Sequence, residues 1–227
     1  MTMWKIGHRG ACGHAPENTL ASMKKALALG VHGFEFDVQM SKDGEPVVIH
    51  DDTLERTTSG SGLVSHFTLQ QLQQFDAGGG QRIPSLRNVL DMVDKRCRLF
   101  IELKAEHATK AVAAILSHYV SHFGWSYEQF FVISFDHPQL VAIRNLNPEL
   151  RTGAIIAGIP VSLAAFAEEA GAWGIIADVF HINQKLVDDA HRRKLKILAG
   201  TANHPLHIAK ARSLGVDGII SDYPDRI

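Results

Sequence analysis

Nine apolar, strand-like runs alternate with helix-like segments along this chain of 227 residues, and one gap between them is too short to hold a helix. The runs cover 4–8, 34–40, 46–50, 98–103, 130–135, 152–157, 174–179, 195–200 and 218–221. Only Ser41-Lys42-Asp43-Gly44-Glu45 separates the second from the third. A parallel neighbour needs a crossover of about a dozen residues, whereas Asp-Gly is a strong tight-turn dipeptide. Residues 46–50 therefore read as an antiparallel hairpin arm folded back beside 34–40. The other eight runs can all be parallel, which predicts an α/β chain folded as a (β/α)8 TIM barrel rather than an open sheet.

A repeated junction supports that count. Gly30-Val31-His32-Gly33-Phe34, Gly171-Ala172-Trp173-Gly174-Ile175 and Gly215-Val216-Asp217-Gly218-Ile219 share one form. Each places a glycine suited to a left-handed helix cap before a second glycine that opens an apolar strand. Helical faces repeat at Leu20, Met23 and Leu27, at Leu86, Val89, Leu90 and Val93, and at Val112, Ile115, Leu116 and Tyr119. Residues 51–84 break the rhythm. They are rich in Thr, Ser, Gly and Gln around one short helical pattern from Thr68 to Phe75, and predict a small subdomain inserted into a single catalytic domain spanning 1–227.

Composition excludes several classes. The chain carries 23 basic and 24 acidic side chains, so it offers no general basic surface for nucleic acid or anionic lipid. No apolar run approaches the length of a membrane span, which predicts no stable membrane insertion. No signal peptide is visible at the start, and Cys12 and Cys97 are too few for a disulfide framework, so a reduced, cytoplasmic protein is expected.

Barrel enzymes build their sites where the parallel strands end. The first strand ends in Gly7-His8-Arg9-Gly10, the second carries Glu35-Phe36-Asp37, and the hairpin arm ends in His50-Asp51. The next strand carries Glu102-Leu103-Lys104. Glu35 and Asp37 are two apart on a strand and share a face. With Glu102 they form an oxygen cluster suited to one hard divalent ion, Mg²⁺ or Ca²⁺. A symmetric turn at Asp43-Gly44 sets His50 level with Phe36, beside that cluster, and His8 arrives from the neighbouring strand. Paired imidazoles beside a metal group suit acid–base work near neutral pH. Arg9 and Lys104 add fixed positive charge, and the whole set suits a phosphate ester. Arg9 has a second reading as a structural partner of Glu17.

These motifs, in order, resemble the glycerophosphodiester phosphodiesterase family: His8-Arg9-Gly10, Pro16-Glu17-Asn18-Thr19, Glu35-x-Asp37, Asp43-Gly44-x-Pro46-Val47-Val48-x-His50-Asp51, Ile101-Glu102-Leu103-Lys104, Ser134-Phe135, Thr201-Ala202-Asn203 and Gly215 to Pro224. The resemblance implies a phospholipase-C-like phosphodiesterase barrel. Its substrates would be small glycerophosphodiesters such as glycerophosphocholine and glycerophosphoethanolamine, cleaved to sn-glycerol 3-phosphate and an alcohol, through a cyclic phosphate. It implies Glu35, Asp37 and Glu102 as metal ligands, His8 and His50 as the acid–base pair, and Arg9 and Lys104 on the phosphate. Phe135 and Asn203 are further expected substrate contacts. The pattern departs where the family often has an aromatic residue; here Gly200 stands. Two other readings accompany this one: a related barrel that releases the cyclic product, and a phosphate- or metal-binding barrel without turnover. Of the other histidines, His118 and His122 read as solvated. His14 and His204 lie in loops near strand ends. The oligomeric state has no sequence signal.

Overall fold

The computed structural model describes residues 3–227. Its strands are β1 (Trp4–Gly7), β2 (Gly33–Met40), β3 (Pro46–Val48), β4 (Arg98–Leu103), β5 (Phe130–Ser134), β6 (Arg151–Ile156), β7 (Gly174–Asp178), β8 (Lys196–Gly200) and β9 (Gly218–Ser221). Its helices are α1 (Leu20–Ala28), α2 (Leu69–Leu72), α3 (Leu86–Val93), α4 (Ala108–Phe123), α5 (His137–Leu146), α6 (Ala165–Glu169), α7 (Gln184–Arg192) and α8 (Pro205–Ser213). The order β1-β9-β8-β7-β6-β5-β4-β2 closes through a β1–β2 pair, and every pair around that ring is parallel. The fold is a closed (β/α)8 barrel. The extra strand β3 lies outside the ring, antiparallel on β2, with Met40 opposite Pro46 and Val38 opposite Val48. That is the register a symmetric Asp43-Gly44 turn requires.

The glycine junctions have a physical reason at both positions. Gly30, Gly171 and Gly215 take φ of 66, 61 and 74° and end their helices in the left-handed region. At the second position the constraint is space. A Cβ on Gly33 would lie 2.7 Å from the carbonyl oxygen of Arg98, and one on Gly174 would lie 2.6 Å from that of Lys196. The neighbouring strand backbone sits where a side chain would be.

Ile6, Phe100, Phe131, Ile133, Ile155, Ile176, Leu198 and Ile220 fill the barrel interior. Trp4 stacks on Trp173 at its lower end, with centroids 5.5 Å apart. Larger apolar clusters lie between barrel and helices, one around β2, β4, α1, α3 and α4, another around β7 to β9 and α6 to α8. Residues 51–84 fold over β3 with a small cluster of their own, in which Val47 and Ile49 meet Leu54, Val64, Leu72, Ala77 and Ile83. The helix expected from Thr68 to Phe75 is only the four residues of α2, closed at its start by a Thr68–Gln71 capping box. Among the described residues no helix is long and apolar enough to cross a membrane.

Gly174→Ala is expected to lower stability by about 1–3 kcal/mol through backbone overpacking. Calorimetry should show a lower Tm for it than for Gly158→Ala, whose added methyl meets nothing within 4 Å.

Candidate active site

Strand parity builds the site. Along β2, Phe34, Phe36 and Val38 pack outward against the helices, so Glu35 and Asp37 face the barrel axis. On β4, Leu99, Ile101 and Leu103 point outward, Phe100 fills the interior, and Glu102 follows it on the same face. The β2–β4 register sets Asp37 directly beside Glu102. The result is three buried carboxylates, with one oxygen of each within 4.8 Å of the others.

Such a cluster is costly alone. Burial pushes the Glu35 carboxyl well above the usual range, and the charges of Asp37 and Glu102 push it further. Glu102 is raised for the same reasons, burial first, despite Lys104. Glu35 Oε1 and Asp37 Oδ1 are buried with no hydrogen-bond partner. Clustered acceptor oxygens from three carboxylates, two of them without a hydrogen bond, are the donor set of a hard divalent cation, and these residues fit one.

Two cations brace the cluster. Lys104 Nζ lies 2.7 Å from Glu102 Oε1 and 3.5 Å from Asp37 Oδ1. Arg9 Nε lies 3.3 Å from Asp37 Oδ2, and the Arg9 backbone N–H donates to Glu35 Oε2 at 3.0 Å. Arg9 also donates from Nη1 to Glu17 Oε1 at 2.7 Å, so its structural pairing and its place in the site hold together. Asn18 holds Asp37 twice, donating to Oδ2 at 2.8 Å and accepting its backbone N–H at 3.2 Å. The Pro16-Glu17-Asn18-Thr19 turn thus caps α1 through Thr19 and also supports the carboxylates.

The two imidazoles have the same environment built from different parts of the chain. His8 Nδ1 lies 2.6 Å from Asp222 Oδ1, and His50 Nδ1 lies 2.6 Å from Asp51 Oδ1. Burial opposes ionisation of Asp222, but the bonds to His8, Cys12 and Asn203 hold its carboxyl down at about 2. Asp51 is held below the usual range, first by Arg56 and then by His50. An ionised carboxylate only accepts, so each Nδ1 carries a proton, and a neutral ring has Nε2 free as the base. His8 Nε2 lies 3.8 Å from Glu35 Oε2.

His8, Arg9, Glu35, His50, Glu102 and Lys104 line one side of a cavity of about 290 Å³ at the C-terminal ends of the barrel strands. Phe135 stands at its edge, 55% exposed, with its ring 5.9 Å from Lys104 Nζ. Asn203 is placed differently from the expected substrate contact. Its amide donates to Asp222 at 2.5 Å and accepts from Ser221 and the Asp222 backbone at 2.9 Å, so it braces the partner of His8 and does not line the cavity. His14 pairs with Asp225 at 2.6 Å and His204 caps α8. His118 and His122 sit ring to ring on α4 at 4.5 Å.

Residue-type reasoning passed over Asp51, Asp222 and Arg56. The first two stood in the motifs, directly after a strand-end His or a closing strand; a carboxylate there was the available signal. Arg56 gave none, lying in the insertion. It donates to Asp51 Oδ2 at 2.7 Å and Oδ1 at 2.9 Å, and to both oxygens of Glu17 at 2.9 Å.

Fold and mouth together define the class: a closed (β/α)8 barrel bearing two carboxylate-held imidazoles, three clustered carboxylates and two fixed cations. The profile of the Glycerophosphoryl diester phosphodiesterase family matches residues 8–226, and the chain belongs to that family. A Bacillus subtilis (strain 168) protein is 36% identical to it over 99% of this chain and 96% of its own length. The glycerophosphodiester phosphodiesterase of Caldanaerobacter subterraneus subsp. tengcongensis is 33% identical over 98% of this chain and 95% of its own. Among solved structures, an Oleispira antarctica phosphodiesterase in complex with the product sn-glycerol-3-phosphate superposes with a TM-score of 0.90 at 32% identity. It covers 99% of this chain, which covers 95% of it.

The raised Glu35 and Glu102 carboxyls bind protons more tightly folded than unfolded. Their contribution without metal is therefore greatest in acid and is lost as pH rises through their folded pKa. In EDTA at pH 7.5, Glu35→Gln should melt above wild type, and the gap should close toward pH 4. Saturating Mg²⁺ or Ca²⁺ at a hundred times Kd should raise the wild-type Tm by about 5–10 °C, and the variant far less.

Proposed function

We propose that the chain is a metal-dependent phosphodiesterase that cleaves small glycerophosphodiesters, among them glycerophosphocholine and glycerophosphoethanolamine, to sn-glycerol 3-phosphate and an alcohol. The observation that carries this reading is the pair of imidazoles, each with Nδ1 held 2.6 Å from its own carboxylate, facing one cavity with the three-carboxylate cluster. The charge supports it. Three carboxylates against Arg9 and Lys104 leave one excess negative charge; a divalent cation reverses that to one positive, matching a diester anion.

Glu35, Asp37 and Glu102 would hold the cation, Mg²⁺ or Ca²⁺. When bound it supplies charge neutralisation on the phosphate oxygens. Arg9 and Lys104 orient the non-bridging oxygens beside it. One Nε2 takes the proton of the glycerol 2-hydroxyl as that oxygen attacks phosphorus, and the other ring returns a proton to the departing alcohol oxygen. The roles then exchange while water opens the cyclic phosphate. Arg56 acts through Asp51 and fixes the His50 ring. Cys12 and Cys97 are free thiols, which suits a reducing cytoplasm.

Incubation with glycerophosphocholine and Mg²⁺ or Ca²⁺, with and without EDTA, should release sn-glycerol 3-phosphate only when metal is present. Cyclic phosphate as the sole end product would assign a lyase instead. His8→Ala and His50→Ala should each lower kcat by about 10²–10⁴. Arg56→Ala should lower kcat by about tenfold with KM little changed and alter the pH–rate profile, and Arg56→Lys should restore part of it.

A further inference from the structure

The mouth of the barrel has two unlike halves. Most of its charged groups come from the ends of β1, β2, β3 and β4. The opposite wall carries Ile133, Ile155, Ile156, Ile176 and Ile220, and one ionisable side chain among them, Asp178.

Parity puts Asp178 inside. On β7, Ile175 and Ala177 pack against the helices and Ile176 fills the interior, so Asp178 faces the cavity. Its partner in the β7–β8 register is Gly200, which follows the inward-facing Leu198 by the same spacing and has no side chain to screen it. Around the ring, β7 is four strands from β2 in either direction. This carboxylate therefore stands across the mouth from Glu35 and Asp37. It is fixed but not used up. Oδ1 accepts the Phe180 backbone N–H at 2.7 Å, and the exposed His181 has Nδ1 3.7 Å from the same oxygen. Oδ2 has no hydrogen bond among the described residues. Packing explains the isoleucines of this wall; it does not explain a carboxylate. Across a cavity of about 290 Å³, that charge repels an anionic diester unless the diester carries a cation on the same side.

We infer that Asp178 selects the head group: its Oδ2 takes the ammonium of a zwitterionic glycerophosphodiester, and it favours ethanolamine over choline. The inference rests on the phosphodiesterase reading and assigns the head-group side of that site. The attacking hydroxyl and the leaving oxygen each need an imidazole on the charged half. The far end of the alcohol needs none and extends across the mouth. A primary ammonium donates a charge-assisted hydrogen bond to a carboxylate, whereas a trimethylammonium has no N–H and keeps only the charge attraction. With Gly200 beside Asp178, that strand pair offers choline no aromatic face in exchange.

The test measures kcat/KM for glycerophosphoethanolamine, glycerophosphocholine and the uncharged-head-group diester glycerophosphoglycerol, by release of sn-glycerol 3-phosphate, in wild type and Asp178→Asn. The variant keeps the shape of the side chain and an acceptor for the Phe180 N–H, and removes the charge. Wild type should prefer glycerophosphoethanolamine to glycerophosphoglycerol by about tenfold or more, with glycerophosphocholine between them. Asp178→Asn should lose most of that preference, through KM rather than kcat. The ratio between substrates is the readout, so a smaller folded fraction does not imitate the effect. Isothermal titration of the same diesters into Ca²⁺-loaded His50→Ala, with and without Asp178→Asn, reads the preference without turnover. Three results overturn the inference and leave the phosphodiesterase reading standing: a wild type that is indifferent to the head group or prefers choline, a preference that survives in Asp178→Asn, or an equal loss on all three diesters, which would place the glycerol at Asp178. An Asp178-dependent binding preference with no turnover of any diester by wild type supports the ammonium site and counts against the phosphodiesterase reading.

Discussion

Three carboxylates that repel one another inside a closed barrel are the constraint on which the rest of this structure is arranged. Their position follows from strand parity. Outward-facing Phe34, Phe36 and Val38 leave Glu35 and Asp37 no other direction, and the β2–β4 register adds Glu102 at the same level. What surrounds them is compensation. Arg9, Lys104 and Asn18 each touch Asp37, and the Arg9 backbone N–H reaches Glu35. Arg9 at φ 49° and Asn18 at φ 57° both stand in the left-handed region, a conformation the first loop adopts to bring an N–H and an amide onto the two carboxylates. The compensation is incomplete, since Glu35 Oε1 and Asp37 Oδ1 stay without a hydrogen bond. A site that is well braced and still short of positive charge is arranged for a cation.

The imidazoles show how one local requirement is met twice with different cost. His8 takes its carboxylate from the far end of the chain, so the His8–Asp222 pair exists only once β9 has closed against β1. Its brace is half-buried and neutral: the Asn203 amide and the Cys12 thiol, the latter kept protonated by desolvation and by its bond to Asp222. His50 takes its carboxylate from the next residue, on a segment that has left the sheet. That carboxylate is steadied by Arg56, nearly half exposed, which also binds Glu17 and through it Arg9. The insertion therefore does more than cover β3. It supplies the cation that ties the second imidazole to the arginine beside the carboxylates.

Much of this was readable in the residues, and the boundary of what was readable is physical. Loop length separated β3 from the eight ring strands, and Asp43-Gly44 set a register that the Met40–Pro46 pairing bears out. The arm ends at Val48 rather than at residue 50. Ile49 still donates to the Asp37 carbonyl at 3.2 Å, but the His50 carbonyl is taken by the Gln39 side chain, so the ladder stops there. Two-residue spacing found Glu35 and Asp37 because parity is local. Asp222, 214 positions from His8, and Arg56, 39 from Glu17, are joined by closure and by the path of the insertion, which no periodicity encodes. Asn203 is the reverse case. The family motif makes it an expected substrate contact, yet its amide oxygen and one amide hydrogen are taken by Ser221 and Asp222, and it does not line the cavity.

The division of the mouth follows from the same parity that set the carboxylates. In a barrel the inward side chains of the upper layer must fill the interior and also floor the cavity. On β2 and β4 that layer is ionic. On β5, β6, β7 and β9 it is Ile133, Ile155, Ile176 and Ile220, which belong to the interior core and to the cavity wall at once. An apolar floor there follows from packing and by itself says little about substrate. Gly200 lines the cavity beside that floor, where a Cβ would come within 3.0 Å of Ile220 Cβ. The close approach of β9 leaves no room there for a side chain, so the backbone of β8 itself forms that part of the cavity wall.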